Sequence, residues 1–215
     1  MGETDRQNNL ETEEFNMERY VWCRELWDRC LAACPACDAV MEGRRHTASV
    51  SAIAGGLARL RGEDEELARI AGLLHDLWAV ETGIRKEHAH RGAERARELL
   101  ESACSAGKTQ KQGGGACCSM MGAGKEATQE ELVAEENTVS FTKEEVDEIC
   151  AAIYFHSDKH LVHGPQAEIL KDADLLDRFL DCPDYDPGSK STERLARLRA
   201  ELGDLQLAAR RLVQD

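Results

Sequence analysis

Apolar residues recur along this chain every three or four positions, the period that turns one stripe of a helix toward a core. From about Thr12 to the early thirties, Phe15, Tyr20, Trp22 and Trp27 mark a first helix, and Pro35 follows it. A second begins near Arg44 and carries His46, Val50, Ile53, Leu57 and Leu60 on one stripe. A third starts after Gly62 with Asp64 as its N-cap, and groups Leu67, Ile70, Ala71 and Leu74. Its last turn, with Leu73, Leu74, Leu77 and Trp78, is apolar all round, as in a helix entering the middle of a bundle. Further helices are expected from about His90 to Glu101, after the capping-box pair Thr142 and Glu145, and over 165–180. After that pair, Val146, Ile149, Ile153 and His156 share a face. A C-terminal amphipathic helix is expected within 189–215, its clearest stripe lying between Thr192 and Val213.

Residues 103–138 break the pattern. This stretch is rich in Gly, Ser, Ala and Lys without a consistent period, and it reads as a low-complexity insertion. No strand alternation and no internal repeat is seen. The expected fold is therefore one all-α domain over 1–215, with its core at about 44–180.

Charge narrows the partners. The formal net charge of −14 argues against a nucleic-acid polymer or an anionic membrane held by bulk electrostatics. An anionic small molecule would need local positive groups. The start, "MGETDRQNNLETEE", shows neither a basic nor an apolar targeting segment, and no apolar run approaches membrane-spanning length, so a cytoplasmic protein is expected. Nine cysteines then read as reduced thiols rather than a disulfide framework. Cys30, Cys34 and Cys37 have a spacing that can ligate an iron–sulfur cluster, but no βα repeat or Gly-rich cofactor segment accompanies them.

The chemistry lies in the histidines and a few acids. All seven histidines fall between positions 46 and 163. His46 opens one apolar helix and the pair His75–Asp76 follows the leucines of "GLLHDLWAV". His88 and His90 precede the next helix, His156 ends another, and His160 and His163 lie just beyond it. "KDADLLD" adds Asp172, Asp174 and Asp177, in a run that would ordinarily form a solvated face. Imidazole and carboxylate are the ligands of hard and borderline divalent cations. A metal ion would also compensate a histidine and an acid placed among leucines, where unsatisfied polar groups are costly.

The ordered set "RRHTASVSAIAGGLA", "IAGLLHDL", "HAHRGAERARELL", "AIYFHSDK" and "LKDADLLDRF" resembles the HD-domain metal-dependent phosphohydrolase superfamily. The resemblance covers about residues 44–180 apart from the insertion. It implies that His46, His75, Asp76 and Asp174 are metal ligands, with His75 and Asp76 at the catalytic centre. Asp174 fits the family's Ala-Asp-Leu form, and Asp172 remains open. Family members with two metals imply His88 and His156 as further ligands, with His90 as the competing residue in the first segment. The cofactor would be one or two divalent ions per chain, Mn, Mg, Fe, Co or Ni. The implied activity is hydrolysis of a phosphate ester or anhydride of a small, nucleotide-like substrate by metal-activated water. Arg44, Arg45, Arg91, Lys159 and Lys171 lie near the ligand segments, by default as solvated charges, and Arg45 and Lys159 are the preferred substrate-binding residues. The same ligand set also permits a di-iron oxygenase, and a non-catalytic metal-stabilised sensing or scaffold protein is the remaining alternative. "HDLWAVE" lacks the Gly-Lys of one family branch, and Glu81 comes late for the acid used by some nucleotidases.

Overall fold

The computed structural model describes residues 17–35, 37–106, 139–182, 186 and 188–212. These form eight helices and no strand among the described residues: α1 (Glu18–Ala32), α2 (Asp38–Arg61), α3 (Glu65–Leu74), α4 (Leu77–Thr82), α5 (His88–Ala106), α6 (Lys143–Phe155), α7 (Pro165–Asp181) and α8 (Ser189–Leu212). The all-α reading holds. Helix α3 runs through the centre, and every one of its residues except Arg69 is buried. Around it pack α1, α2, α6 and α7, with α5 against α4 and α6, and α8 on the outer side of α7.

The ends of the helices follow local chemistry. Asp64 accepts the backbone N–H of Leu67 at 2.9 Å and starts α3. Thr142 and Glu145 form the reciprocal capping box at the start of α6. Helix α2 begins at Asp38, six residues before the apolar stripe would place it, and ends at Gly62 in the left-handed conformation. Helix α5 starts at His88 and runs to Ala106, overlapping the start of the segment expected as an insertion; 107–138 lies outside the described residues. The expected first-helix residues 12–16 and the C-terminal 213–215 also lie outside them.

One correction bears on the site. The apolar run 73–78 does not continue as helix. It breaks at His75 and Asp76, with Asp76 at φ −108 and ψ 6, the bridge region common for active-site residues. Two close approaches fix this turn. A Cβ on Gly72 would lie 2.7 Å from the Ser51 Cα, so α3 and α2 meet backbone to backbone. A Cβ on Gly92 would lie 2.7 Å from the carbonyl oxygen of His75, so α5 rests directly on the turn.

Candidate metal centre

Six side chains from five elements converge beside the α3–α4 turn. His46 comes from α2, His75 and Asp76 from the turn, His88 from the start of α5, His156 from the end of α6, and Asp174 from α7. Their rings form an edge-on chain, with centroids 5.2 Å apart for His46 and His75, 5.0 Å for His75 and His156, and 5.1 Å for His156 and His88. Asp76 lies along this chain. Its Oδ2 is 3.7 Å from His75 Nε2 and 3.9 Å from His46 Nε2, and its Oδ1 is 3.6 Å from His88 Nε2 and 3.8 Å from His156 Nε2. Asp174 Oδ1 is 3.2 Å from His46 Nε2.

The backbone sets the tautomers. His75 Nδ1 donates to the Gly72 carbonyl (2.8 Å), His88 Nδ1 to Arg85 (2.9 Å) and His156 Nδ1 to Ile153 (2.6 Å). A carbonyl only accepts, so Nδ1 carries the proton in each. In the neutral rings the Nε2 lone pairs therefore face inward, and those of His88 and His156 meet at 3.2 Å. Burial lowers the pKa of His75, and it lowers that of His156 to about 3, with the neighbouring His75 and Lys159 adding to the effect. Both rings are thus neutral near pH 7.

This arrangement leaves lone pairs with nothing to bind. His75 Nε2 and Asp76 Oδ1 are buried without a hydrogen-bond partner, two of the five such side-chain atoms among the described residues, and His46 Nε2 faces only the acids Asp174 and Asp76. Each unpartnered atom costs about 1–3 kcal/mol when left so. A cation removes the penalty for both together. The donor atoms of His46, His75 and Asp174, and those of His75, Asp76 and His156, are each close enough to share one ion. The residues present fit a divalent metal.

Helix geometry separates the acids of α7. Asp172, Asp174 and Asp177 are all buried, so the solvated face expected for them is absent. Residues two apart diverge by about 200° around a helix, while residues three apart lie side by side. Asp172 accordingly points away, to Arg194 (2.8 Å) and Arg61 (2.7 Å), and only Asp174 stands beside His46 and His75. Asp177 stands behind His46 and accepts its Nδ1–H at 2.6 Å. Sequence reasoning gave Asp177 no role; its position three residues after Asp174 is the signal that could have found it. Asp177→Asn should lower metal affinity about 10–100-fold, as loss of a carboxylate that orients a ligating histidine does, read by competition with a chelator.

His46 differs from the other three histidines. Burial works against its charged form, but Asp174 and Asp177, with Asp76 beyond them, outweigh it and raise the pKa to about 9 in the metal-free protein. This group therefore stabilises the metal-free fold fully below its ordinary value of 6.5, and that contribution is lost as pH rises through about 9. A metal ion must displace the same proton. Metal binding at pH 7 should release about one proton from His46, and affinity should rise about tenfold per pH unit up to about pH 9. Calorimetry in buffers of different ionisation enthalpy checks both.

Asp174 is held from the other side as well. Lys159 Nζ donates to its Oδ2 at 2.6 Å and to the His156 carbonyl at 2.9 Å, and Arg178 Nε donates to Oδ1 at 3.0 Å. Burial opposes the carboxylate charge, but Lys159, His46 and Arg178 keep its pKa well below the ordinary value. Two chambers open beside the cluster. One, of about 310 Å³, is bordered by His46, Asp76, Arg45, Arg85 and Arg178; the other, of about 180 Å³, by His88, His156, Ser157, Lys159 and Arg178.

The remaining sequence candidates lie elsewhere. His90 is exposed and stacks on Tyr154, with ring centroids 4.1 Å apart. His163 stacks on Phe155 and accepts from Lys171, while His160 is exposed on the loop after α6. Lys171 is fully buried rather than solvated, and donates to Leu161, His163 and Glu168. Glu81 pairs with Arg95 outside the cluster, Arg44 with Asp28, and Arg91 with Glu94. No group of three cysteines among the described residues comes within metal-sharing distance.

Residues 43–112 match the family model of the HD domain. The chain is therefore similar to HD domains over this segment. The segment contains His46, His75, Asp76 and His88, while His156 and Asp174 arrive from α6 and α7 beyond the matched region. A solved structure of a predicted HD superfamily hydrolase from an uncultured Thermotogales bacterium is similar at 20% identity, covering 89% of this chain and 91% of that one, with a TM-score of 0.42. No curated protein matches the chain. Among the described residues, no helix is long and apolar enough to cross a membrane.

Proposed function

We propose that this protein is a metal-dependent phosphohydrolase that cleaves a phosphate ester or anhydride of a small substrate. One observation carries the reading: buried lone pairs without partners converge at the mouths of two chambers bordered by cationic side chains. Phosphate oxygens need such cations around a metal.

The two possible ligand triads share His75, whose single inward lone pair serves one ion. One ion would be held by His46, His75, Asp76 and Asp174, and a second would draw on Asp76, His88 and His156. Divalent ions held there supply Lewis acidity toward a phosphoryl oxygen and acidify water. The protein's part is preorganisation. Three carbonyls and Asp177 lock the four imidazoles, while Lys159 and Arg178 fix the two oxygens of Asp174. Lys159 and Arg178 also border the smaller chamber, where charge on a phosphoryl group would collect. Arg45 is bound by Glu42 at 2.8 Å and Asp181 at 3.2 Å, so it reaches substrate only by exchanging those partners.

The test is a phosphate-release screen of nucleotides and simple phosphomonoesters with Mn, Mg, Co, Ni or Fe added to chelator-treated protein. Release that requires metal and stops on chelation is expected. No release with any ion would overturn the reading, and oxygen uptake by the iron-loaded protein without phosphate release would replace it with an oxygenase.

A further inference from the structure

The larger chamber holds a feature that the phosphohydrolase reading does not use. Of its three arginines, two are engaged. Arg45 is tied to Glu42 and Asp181, and Arg178 donates to Asp174. Arg85 stands apart. Its side chain is 74% exposed, and its one ionic neighbour among the described residues is Asp76 Oδ2 at 3.9 Å, beyond hydrogen-bond range. A guanidinium with unused donors at the mouth of a metal cluster is the natural receiver of an oxyanion.

The backbone ties this arginine to the site. It lies in the segment between α4 and α5, bounded by Gly83 at φ 71 and Glu87 at φ 58. A non-glycine residue in the left-handed region costs about 1 kcal/mol or more and persists where its surroundings demand it. The carbonyl of Arg85 accepts the Nδ1–H of His88, so the residue that fixes one proposed ligand also extends its side chain along the chamber. The other walls include Ala39, Gly43, Ala79 and Val80, with the acids Glu42 and Asp181 paired to Arg45 and Asp177 paired to His46, and no Phe, Tyr or Trp among the described residues borders the space. A nucleobase would find no aromatic face to stack on there.

We propose that this chamber is a subsite for a second anionic group on the substrate, and that Arg85 is the residue that selects it. The inference rests on the phosphohydrolase reading and sharpens it. The favoured substrate is a small molecule bearing two phosphoryl groups, one at the metal cluster and one at Arg85.

Two inert ligands test this: propylphosphonate and propane-1,3-bisphosphonate, which differ in the second phosphonate. Their affinities for metal-loaded, full-length protein are measured by calorimetry. In the native protein the bisphosphonate should bind about tenfold more tightly. In Arg85→Gln that advantage should vanish, with propylphosphonate affinity unchanged and thermal unfolding the same as native. Arg97→Gln, on the outer face of α5, should retain the advantage. No advantage in the native protein, or one that survives in Arg85→Gln, overturns the proposal. Failure of the underlying reading is separate: the advantage would be present, but no phosphate ester would be hydrolysed.

Discussion

Asp76→Ala should remove metal binding and lower hydrolysis by about a thousandfold or more, the scale of several kcal/mol of lost transition-state stabilisation. No other acid among the described residues stands within 4 Å of as many of the cluster's imidazoles; His46, His75, His88 and His156 all approach Asp76. The substitution leaves backbone and core in place, so loss of the site is separable from loss of the fold. In the native protein, metal at about one hundred times its dissociation constant adds about 2.7 kcal/mol of stability. For a domain of this size that is a rise of about 5–10 °C in unfolding temperature. In Asp76→Ala the metal-free protein should unfold within a few degrees of native, and the rise on adding metal should disappear. A variant that keeps the rise would show that the ion binds elsewhere.

The second large effect concerns the support behind the site. Arg194, on α8, has a side chain only 4% exposed. It pairs with Asp172 at 2.8 Å and Glu168 at 2.7 Å, and its Nε donates to the Lys159 carbonyl at 3.2 Å. Breaking a buried ion pair from one side leaves charge without compensation, at a cost of about 3–5 kcal/mol. Arg61 still reaches Asp172 and Lys171 still reaches Glu168, which places the cost of Arg194→Met near the lower end, about 3 kcal/mol. Thermal unfolding followed by circular dichroism should fall by about 6–12 °C. A fall under 2 °C would show that α8 contributes little to the core. Because Arg194 holds the main chain of Lys159, the variant should also weaken the grip on Asp174.

Much of this architecture can be read from the sequence because helix periodicity and capping are local. Asp64 and the Thr142–Glu145 pair announce their helices from chemistry within four residues. The break at His75 and Asp76 cannot be read that way. Its flanking leucines are equally good helix formers, and the turn exists because α2 and α5 press on it through Gly72 and Gly92. The burial of all three acids of α7 was hidden for a related reason. A run of Lys, Asp and Leu looks solvated until Arg61, Arg194 and His46 are brought to it from other helices. The resemblance in the ordered motifs supplied the six converging residues, while Asp177, Arg178 and Arg194 needed the packing. Arg85 carries no sequence signal, since an exposed arginine in a connecting segment is ordinary.

Metal stoichiometry tests the central claim most directly. Protein loaded with manganese, desalted and measured by inductively coupled plasma mass spectrometry should hold about two ions per chain. His156→Ala should hold about one and Asp76→Ala none. A native protein that retains no manganese, cobalt, nickel or iron after loading would contradict the account, because the inward-facing lone pairs of His75 and Asp76 would then have no partner to explain them.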